Sequence, residues 1–290
     1  MKPIFSVITA TYNRGYVLWK TIESLQRQTY PYWELIIVDD GSTDSTEQVV
    51  AEFQKDPRIE YFRIKHSNGS CARNFGLKKA KGDIITYLDS DDYLYENYLS
   101  ITLEYFQKYP KAIFAICNYN RRLELYENHK LIAFDRMSSA QKLEVTLQDF
   151  YHWDVKTCGT SIFHKSKTIK DKIFWDPKFV MLDDLDFILQ MGRKYPNGFL
   201  HIPYVLFEYL QKFGGDGIVS STSYYDQGRA FEQIYDKHKN DPLMRGQQWY
   251  PEKVLQYKNL DKEARMGKIP SPQYKYFPKY FKLKNERKLH

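Results

Sequence analysis

The hydrophobic pattern of the chain switches repeatedly between two periods. Apolar runs of strand length occupy Ile4–Ala10, Trp33–Val38, Ile59–Ile64 and Ile84–Leu88. Each is followed by a stretch of helical length and character. After the first run, Val17, Leu18, Ile22 and Leu25 fall on one helical face, and Pro31 ends the unit. After the second, Asp44 stands where it can cap a helix, with Glu47 as its reciprocal partner. Asn68-Gly69 predicts a turn and Ala72–Ala80 a helix. The fourth run, apolar apart from Thr86, reads as a strand covered on both faces. Strand followed by helix through residues 4 to 108 predicts an α/β fold with a parallel sheet and helices on its faces. Crossover handedness then limits the topology to few choices.

Chemically pointed residues gather at the strand ends. The first run delivers Ala10-Thr11-Tyr12-Asn13-Arg14, the second Asp39-Asp40-Gly41-Ser42, and the fourth Asp89-Ser90-Asp91-Asp92. In a doubly wound sheet these carboxyl ends open on one crevice. Carboxylates clustered there repel one another unless a cation or hydrogen bonds compensate. A hard divalent ion with oxygen ligands, bridging to a diphosphate, is the simplest compensation. The blander reading is an acidic, solvated turn that caps the next helix. Neither Gly-x-Gly-x-x-Gly nor Gly-x-x-x-x-Gly-Lys-Ser/Thr occurs in the chain. Phosphates would therefore be held by metal and by cations such as Arg73, not by a glycine cradle.

Beyond residue 118, Arg121–Phe134 carries two alternating runs and predicts a hairpin around Glu127-Asn128-His129. Cys158–Phe163 reads as a strand whose glycine and small residues suit close approach to a ligand. Leu185, Ile188 and Leu189 set a helical period, which puts Asp183 and Asp184 at or just before a helix N-terminus. Acidic residues there are also ordinary caps and dipole partners. Phe213–Ser223 is rich in glycine and serine and reads as a flexible loop. Tyr224–His238 and Pro251–Met266 read as helices.

Length and composition add bounds. The chain has 290 residues, enough for one large domain with extensions or two small ones. Its formal charge of +7 favours an anionic partner: phosphates, nucleic acid or a membrane surface. Three dispersed cysteines, Cys71, Cys117 and Cys158, argue against a disulfide framework and for a reducing compartment. The opening apolar run is too short for a signal peptide, and no window approaches a membrane span. A cytoplasmic protein is expected. Residues 274–290 mix aromatic with basic side chains, which suits the inner face of a membrane. Such a tail can also bind single-stranded nucleic acid, but the acidic crevice disfavours that partner.

Five stretches together resemble family-2 glycosyltransferases of the glycosyltransferase-A (GT-A) fold. They are Val7–Arg14, Ser24–Thr29, Ile36–Asp44, Ala72-Arg73-Asn74 with Gly76, and Leu88–Asp92, all in the family's order. The resemblance implies a mostly parallel, Rossmann-like sheet flanked by helices. Residues 1–118 would be the nucleotide-sugar-binding half and 119–220 the acceptor half, with 221–290 a helical, basic-aromatic extension. It also implies roles. Tyr12 would stack on the base, beside contacts from Ala10, Thr11 and Arg14. Asp39 would bind the base edge, and Arg73 would lie near the base or diphosphate. Asp89 would reach the ribose next to Ser90. Asp91, with Asp89 beside it, would bind Mn2+ or Mg2+. Inverting members carry an acidic pair, usually Glu-Asp, at the start of an acceptor-site helix, and its second residue is the general base. Here the pair is Asp183-Asp184, so Asp184 is the expected base, Asp183 its support and Asp186 a lesser candidate.

The implied reaction moves a sugar, with inversion, from a nucleotide-sugar donor to a hydroxyl of a saccharide or lipid-linked acceptor. The uridine-contacting positions favour UDP. After the base, 213–223 would be a lid. Two rivals stand beside this reading. A sugar-phosphate nucleotidyltransferase shares a similar sheet but opens with a basic, glycine-rich loop where this chain has Thr11-Tyr12-Asn13-Arg14-Gly15. A non-catalytic protein that kept the fold is the other.

Overall fold

The computed structural model describes residues 3–127, 130–138, 145–152, 155–213, 223–242, 244, 249–266 and 268. Two compact units are present: residues 1–120 with 139–209, and residues 121–138 with 210–290.

The first unit opens with the alternation that the pattern predicts. Strand β1 (Phe5–Thr11) is followed by helix α1 (Leu18–Gln26), β2 (Trp33–Asp39) by α2 (Thr46–Phe53), and β3 (Ile59–Arg63) by α3 (Gly69–Lys79). Next come β4 (Ile84–Tyr87), the short β5 (Tyr93–Leu94) and α4 (Tyr98–Lys108). After them lie β6 (Phe114–Glu127), β7 (Lys130–Ser138), α5 (Leu147–Tyr151), β8 (Ile162–Lys165), α6 (Lys167–Lys170), α7 (Asp183–Lys194) and β9 (Phe199–Phe213). The sheet order is β3-β2-β1-β4-β8-β6-β9-β5. β1 runs parallel to β2 and β4, and β2 parallel to β3; β4 with β8, β6 with β8 and β5 with β9 are antiparallel.

Burial explains the continuous apolar runs. Leu35, Ile36, Ile37 and Val38 of β2 are all buried, so both faces of that strand are covered. Each such side chain contributes about 1.5–3 kcal/mol when removed from water. The helix face predicted from Leu18, Ile22 and Leu25 packs in the same core. The register sets Thr11 opposite Asp39 and Ile8 opposite Tyr87. The ends of β1, β2 and β4 therefore finish side by side.

Local details depart from the pattern in four places. Asp44 does not cap α2 with Glu47; it accepts the N–H groups of Gly15 and Thr46, and Glu47 pairs with Arg63 at 3.0 Å. Asn68 is a helix cap rather than part of a free turn, because its side-chain oxygen accepts the N–H of Cys71 at 2.9 Å. Cys158–Phe163 is not one strand: a 3-10 turn at Gly159–Ser161 precedes β8. The predicted hairpin is the joint of two much longer strands, β6 and β7, with Asn128 and His129 outside the described residues.

In the second unit, β7 pairs with β6. Helices α8 (Tyr224–His238) and α9 (Trp249–Arg265) pack on each other, with Phe231 stacked on Tyr257 at 5.4 Å. Ser223 and Asp226 form a capping box at the start of α8. Of the expected lid at 213–223, Phe213 ends β9 and Ser223 caps α8, while 214–222 lie outside the described residues, as does the tail at 274–290. No helix among the described residues is long and apolar enough to cross a membrane.

Candidate active site

The first unit gathers the strand-end residues into two clusters. At the ends of β1 and β2, Asp39 is fully buried and its carboxylate is already engaged. Oδ1 accepts the N–H of Ser42 at 2.7 Å and Oδ2 accepts the Tyr61 hydroxyl at 2.6 Å. Burial, then the bond to Asp39, pushes the Tyr61 hydroxyl well above its ordinary pKa, so it stays a donor. Next to Asp39 on β1 are Ala10 and Thr11; the N–H of Asp40 donates to the Thr11 carbonyl at 2.8 Å. Tyr12 follows, 41% exposed, with its ring stacked on His66 at 4.2 Å and 19°. Asn13 takes a positive φ of 52°, a conformation that asparagine tolerates, and it is tied to Ser42 and Thr43. Arg14 donates its backbone N–H to Thr46 Oγ1 and its Nη1 to the Tyr16 hydroxyl.

The second cluster joins β4 to helices α3 and α7. Arg73 of α3 donates Nη2 to Asp89 Oδ1 at 2.9 Å and Nη1 to Asp183 Oδ2 at 3.0 Å. Its guanidinium also lies 4.6 Å from the centre of the Trp175 ring. Burial alone would lower its pKa, but Asp89 and Asp183 hold Arg73 charged. Ser70, one turn earlier, donates to Asp183 Oδ2 at 3.4 Å. The floor beneath is aromatic: Trp175 stacks on Phe187 at 4.6 Å and 6°, and Tyr87 meets both edge-on.

The loop after β4 is held by residues of Cys158–Phe163, the stretch expected to be a strand open to close approach by a ligand. Thr160 Oγ1 accepts the Asp89 N–H at 3.1 Å and donates to Asp92 Oδ2 at 2.5 Å. The Ser90 and Asp92 carbonyls both accept the Thr21 hydroxyl at 3.0 Å. Gly159 lies so close to Asp89 that a Cβ there would sit 3.2 and 3.3 Å from its two carboxylate oxygens. The small residues of Cys158–Phe163 suggested close approach to a ligand; what Gly159 approaches here is Asp89, which nothing in the pattern named. Asp92 is buried and Asp91 half-buried beside it.

The acidic pair stands at the first two positions of α7. Leu182 before it is left-handed, at φ 59° and ψ 20°, and this turn starts the helix. Asp184 Oδ1 accepts the Leu185 N–H at 2.8 Å. Burial, and then the charge of Asp183, pushes the Asp184 carboxyl up to about 8. Burial likewise raises Asp183, against the pull of Arg73. Asp186 is buried, with Oδ2 accepting Gln190 Nε2 at 2.8 Å, so it is engaged within the helix. Cys158 is a buried thiol whose pKa burial raises, which leaves it a poor nucleophile. Among the described residues no group of three or more His, Cys, Asp or Glu is arranged to hold a metal ion.

Comparisons with known proteins agree on one family. The model for glycosyl transferase family 2 matches residues 6–170. The putative colanic acid biosynthesis glycosyl transferase WcaA of Escherichia coli is 31% identical over 198 residues, 67% of each chain. A GalNAc(5)-diNAcBac-PP-undecaprenol beta-1,3-glucosyltransferase of Campylobacter jejuni is 33% identical over 153 residues, 51% of this chain and 49% of that one. Other matched relatives are much longer, and the shared stretch is only 17% or 19% of their length. Among solved structures, S. aureus TarS 1-349 in complex with UDP-GlcNAc superposes with a TM-score of 0.62 at 21% identity, over 89% of this chain and 72% of that one. The mannosyltransferase PcManGT of Pyrobaculum calidifontis, in complex with GDP-Man and Mn2+, does so at 0.61 and 16%, over 93% and 77%. The fold is thus the GT-A fold.

Proposed function

Since this chain belongs to glycosyl transferase family 2, we propose that it transfers a sugar from a nucleotide-sugar donor to a hydroxyl of a saccharide or lipid-linked saccharide, inverting the anomeric centre. The observation that carries the reading is the Arg73 bridge. One guanidinium ties Asp89, at the end of a donor-side strand, to Asp183, the neighbour of a carboxyl raised to about 8. A carboxylate of that basicity suits the removal of a proton from a sugar hydroxyl.

The placement supports the following steps. Tyr12 takes the base on its ring, next to the buried Asp39, which would have to exchange one of its present bonds, to Ser42 or Tyr61, to reach the base edge. Ala10, Thr11 and Ser90 offer backbone groups to the nucleoside, and Asp89 faces the ribose. Asp184 accepts the proton of the acceptor hydroxyl as its oxygen bonds to the anomeric carbon. The bond from that carbon to the β-phosphate oxygen breaks, and its electron pair leaves with the nucleoside diphosphate. Arg73, already cationic, stands beside the path of that departing charge, with Arg14 the second cation near the β1 end.

Asp91 and the second oxygen of Asp89 fit a hard cation such as Mn2+ or Mg2+, since both are oxygen donors. Two carboxylates do not complete a shell, so the remaining ligands would be diphosphate oxygens and water. Such an ion would supply Lewis-acid stabilisation of the leaving group. Support comes from the PcManGT complex, which contains Mn2+, and from TarS, which binds UDP-GlcNAc. UDP is the favoured carrier because Tyr12 and Asp39 match uridine-contacting positions. The lipid-linked acceptor in the name of the Campylobacter relative supports a similar acceptor here, at the inner face of a membrane, with residues 274–290 as the anchor.

The test is Asp184→Asn assayed with UDP-sugars and Mn2+. Loss of transfer with UDP affinity retained is expected; unchanged transfer removes Asp184 as the base. Pyrophosphate release from a nucleoside triphosphate would favour a nucleotidyltransferase instead.

A further inference from the structure

His66 occupies a place that the proposed reaction does not explain. It lies past the end of β3, in the loop before α3, with its side chain 55% exposed. An exposed histidine is ordinarily free to rotate, but this one is pinned. Its Nδ1 is 2.9 Å from both the carbonyl oxygen and Oδ2 of Asp40, whose side chain is 4% exposed. Two acceptors on one ring nitrogen mean that Nδ1 carries the proton and donates it. The other carboxylate oxygen of Asp40 accepts the N–H of Ser67 at 2.8 Å, which fixes the backbone on the far side of His66. Gly41 completes the clamp. At φ +83° it takes a turn that favours glycine, and a Cβ there would come within 3.1 Å of the His66 Cβ and N.

The pinned ring lies flat against Tyr12, at 4.2 Å between centres and 19° between planes. Both rings are outside the hydrophobic core, so the pair is not there to fill it. It stands at the β1 and β2 ends, beside the buried Asp39. A tyrosine has two faces, and His66 covers one.

We propose that His66 is a positioning residue for the nucleobase: it backs Tyr12 and fixes its ring plane, leaving the opposite face as the platform on which the base stacks. The chain Ser67–Asp40–His66–Tyr12 then transmits the rigidity of the sheet edge to an exposed ring. The ligand class is a nucleoside diphosphate, with the base as third layer of a stack. This rests on the reading of Tyr12 as the base platform. Tyr12 alone would lose rotamer freedom on each binding event; a ring already held flat loses less.

Isothermal titration of the full chain with UDP and with GDP tests it, using wild type, Tyr12→Ala, His66→Ala, His66→Phe and the double alanine variant. Expected is a weakening of about 3- to 10-fold for His66→Ala, the range of an aromatic pair. His66→Phe, which keeps the ring and loses the Asp40 anchor, falls between it and wild type. The double variant binds no more weakly than Tyr12→Ala, because His66 acts only through Tyr12. Melting temperatures separate this from loss of the fold: His66→Ala melts somewhat lower because Asp40 loses a partner, and titrations run well below every variant's melting transition still show the affinity loss. Wild-type or tighter binding by His66→Ala, with Tyr12→Ala weakened, overturns the inference and leaves the platform standing. Additive losses in the double variant also overturn it, since His66 would then touch the ligand itself. Unchanged binding by Tyr12→Ala, or no binding of either nucleotide by wild type, overturns the platform reading instead.

Discussion

Replacing Arg73 by methionine removes the one cation that faces both Asp89 and Asp183 among their contacts described above, and keeps the aliphatic stem. The two bonds lost are charge-assisted, at 2.9 and 3.0 Å, and the three side chains are only 16%, 23% and 22% exposed. Deleting one partner of such a buried pair costs about 3–5 kcal/mol when the stranded charges must remain. They need not remain at every pH. The Asp183 and Asp184 carboxyls are raised above the ordinary 3.8, Asp184 to about 8. Between those values the native protein holds more protons than the unfolded chain, so stability falls as pH rises through the window. Without Arg73 both carboxyls climb further, and at low pH they escape the penalty by binding protons. The loss in Arg73→Met should therefore be smaller in acid, where Asp183 can bind a proton, and reach its full ~3–5 kcal/mol at alkaline pH. At ~2–4 °C per kcal/mol this is a fall of roughly 6–20 °C in melting temperature. Scanning fluorimetry from acid to alkaline pH measures it. Adding Asp183→Asn to Arg73→Met should recover much of the alkaline loss. A deficit equal at every pH, or greater in acid, would refute the argument, because it would mean that Arg73 acts through packing on Trp175 and not through charge.

Other outcomes follow from the same geometry. The rate kcat/KM should fall as pH drops below about 8, and Asp183→Asn should move that midpoint down, since the Asp183 charge is the second cause of the Asp184 shift; a pH–rate profile of both proteins decides. Gly159→Ala would put a methyl group 3.2 Å from an Asp89 oxygen. Displacing that carboxylate should lower kcat/KM by between a few-fold and ~10²-fold, measurable as donor turnover, with little change in melting temperature. His164 is buried and held down to about 4, so the unfolded chain binds more protons than the native one between about 4 and 6.5. Its share of stability, up to ~3 kcal/mol, is lost as pH falls through that interval. Urea titrations of His164→Gln should show a flatter acid limb, alongside a uniform cost from the lost Tyr87 and Thr168 bonds.

Strands β1, β2 and β4 were legible because they are covered on both faces, which writes continuous apolar runs into the sequence; β3 at the sheet edge, with only Ile59 buried, was legible from its β-branched and aromatic run. Tyr12, Asp39 and Asp89 were legible as candidates because parallel strands must end together. The long β6 and β9 were not. They pair antiparallel or continue into the second unit, so their faces differ along their length and no single period marks them. Thr160 was missed for another reason: its work is done by one hydroxyl that bridges Asp89 and Asp92, far away in sequence. His66 carries no local signal either, since a histidine before Ser67-Asn68-Gly69 looks like any loop residue until Asp40 is seen beneath it. The reciprocal half of the Asp44 cap failed because Glu47 pairs with Arg63 from β3 instead, while Asp44 still accepts the Thr46 N–H at the start of α2.

Leu182 keeps a left-handed backbone that disfavours its own side chain by roughly 1–2 kcal/mol. Glycine would relax there, but it would also open a wide range of rotations just ahead of Asp183 and Asp184. A bulky residue forced into a narrow well works as a detent: it can rest in only one way, and the carboxylates downstream inherit that single bearing. Sturdiness and aim are thus set against each other at one bond, and a variant chosen only for a higher melting point would tend to loosen the aim.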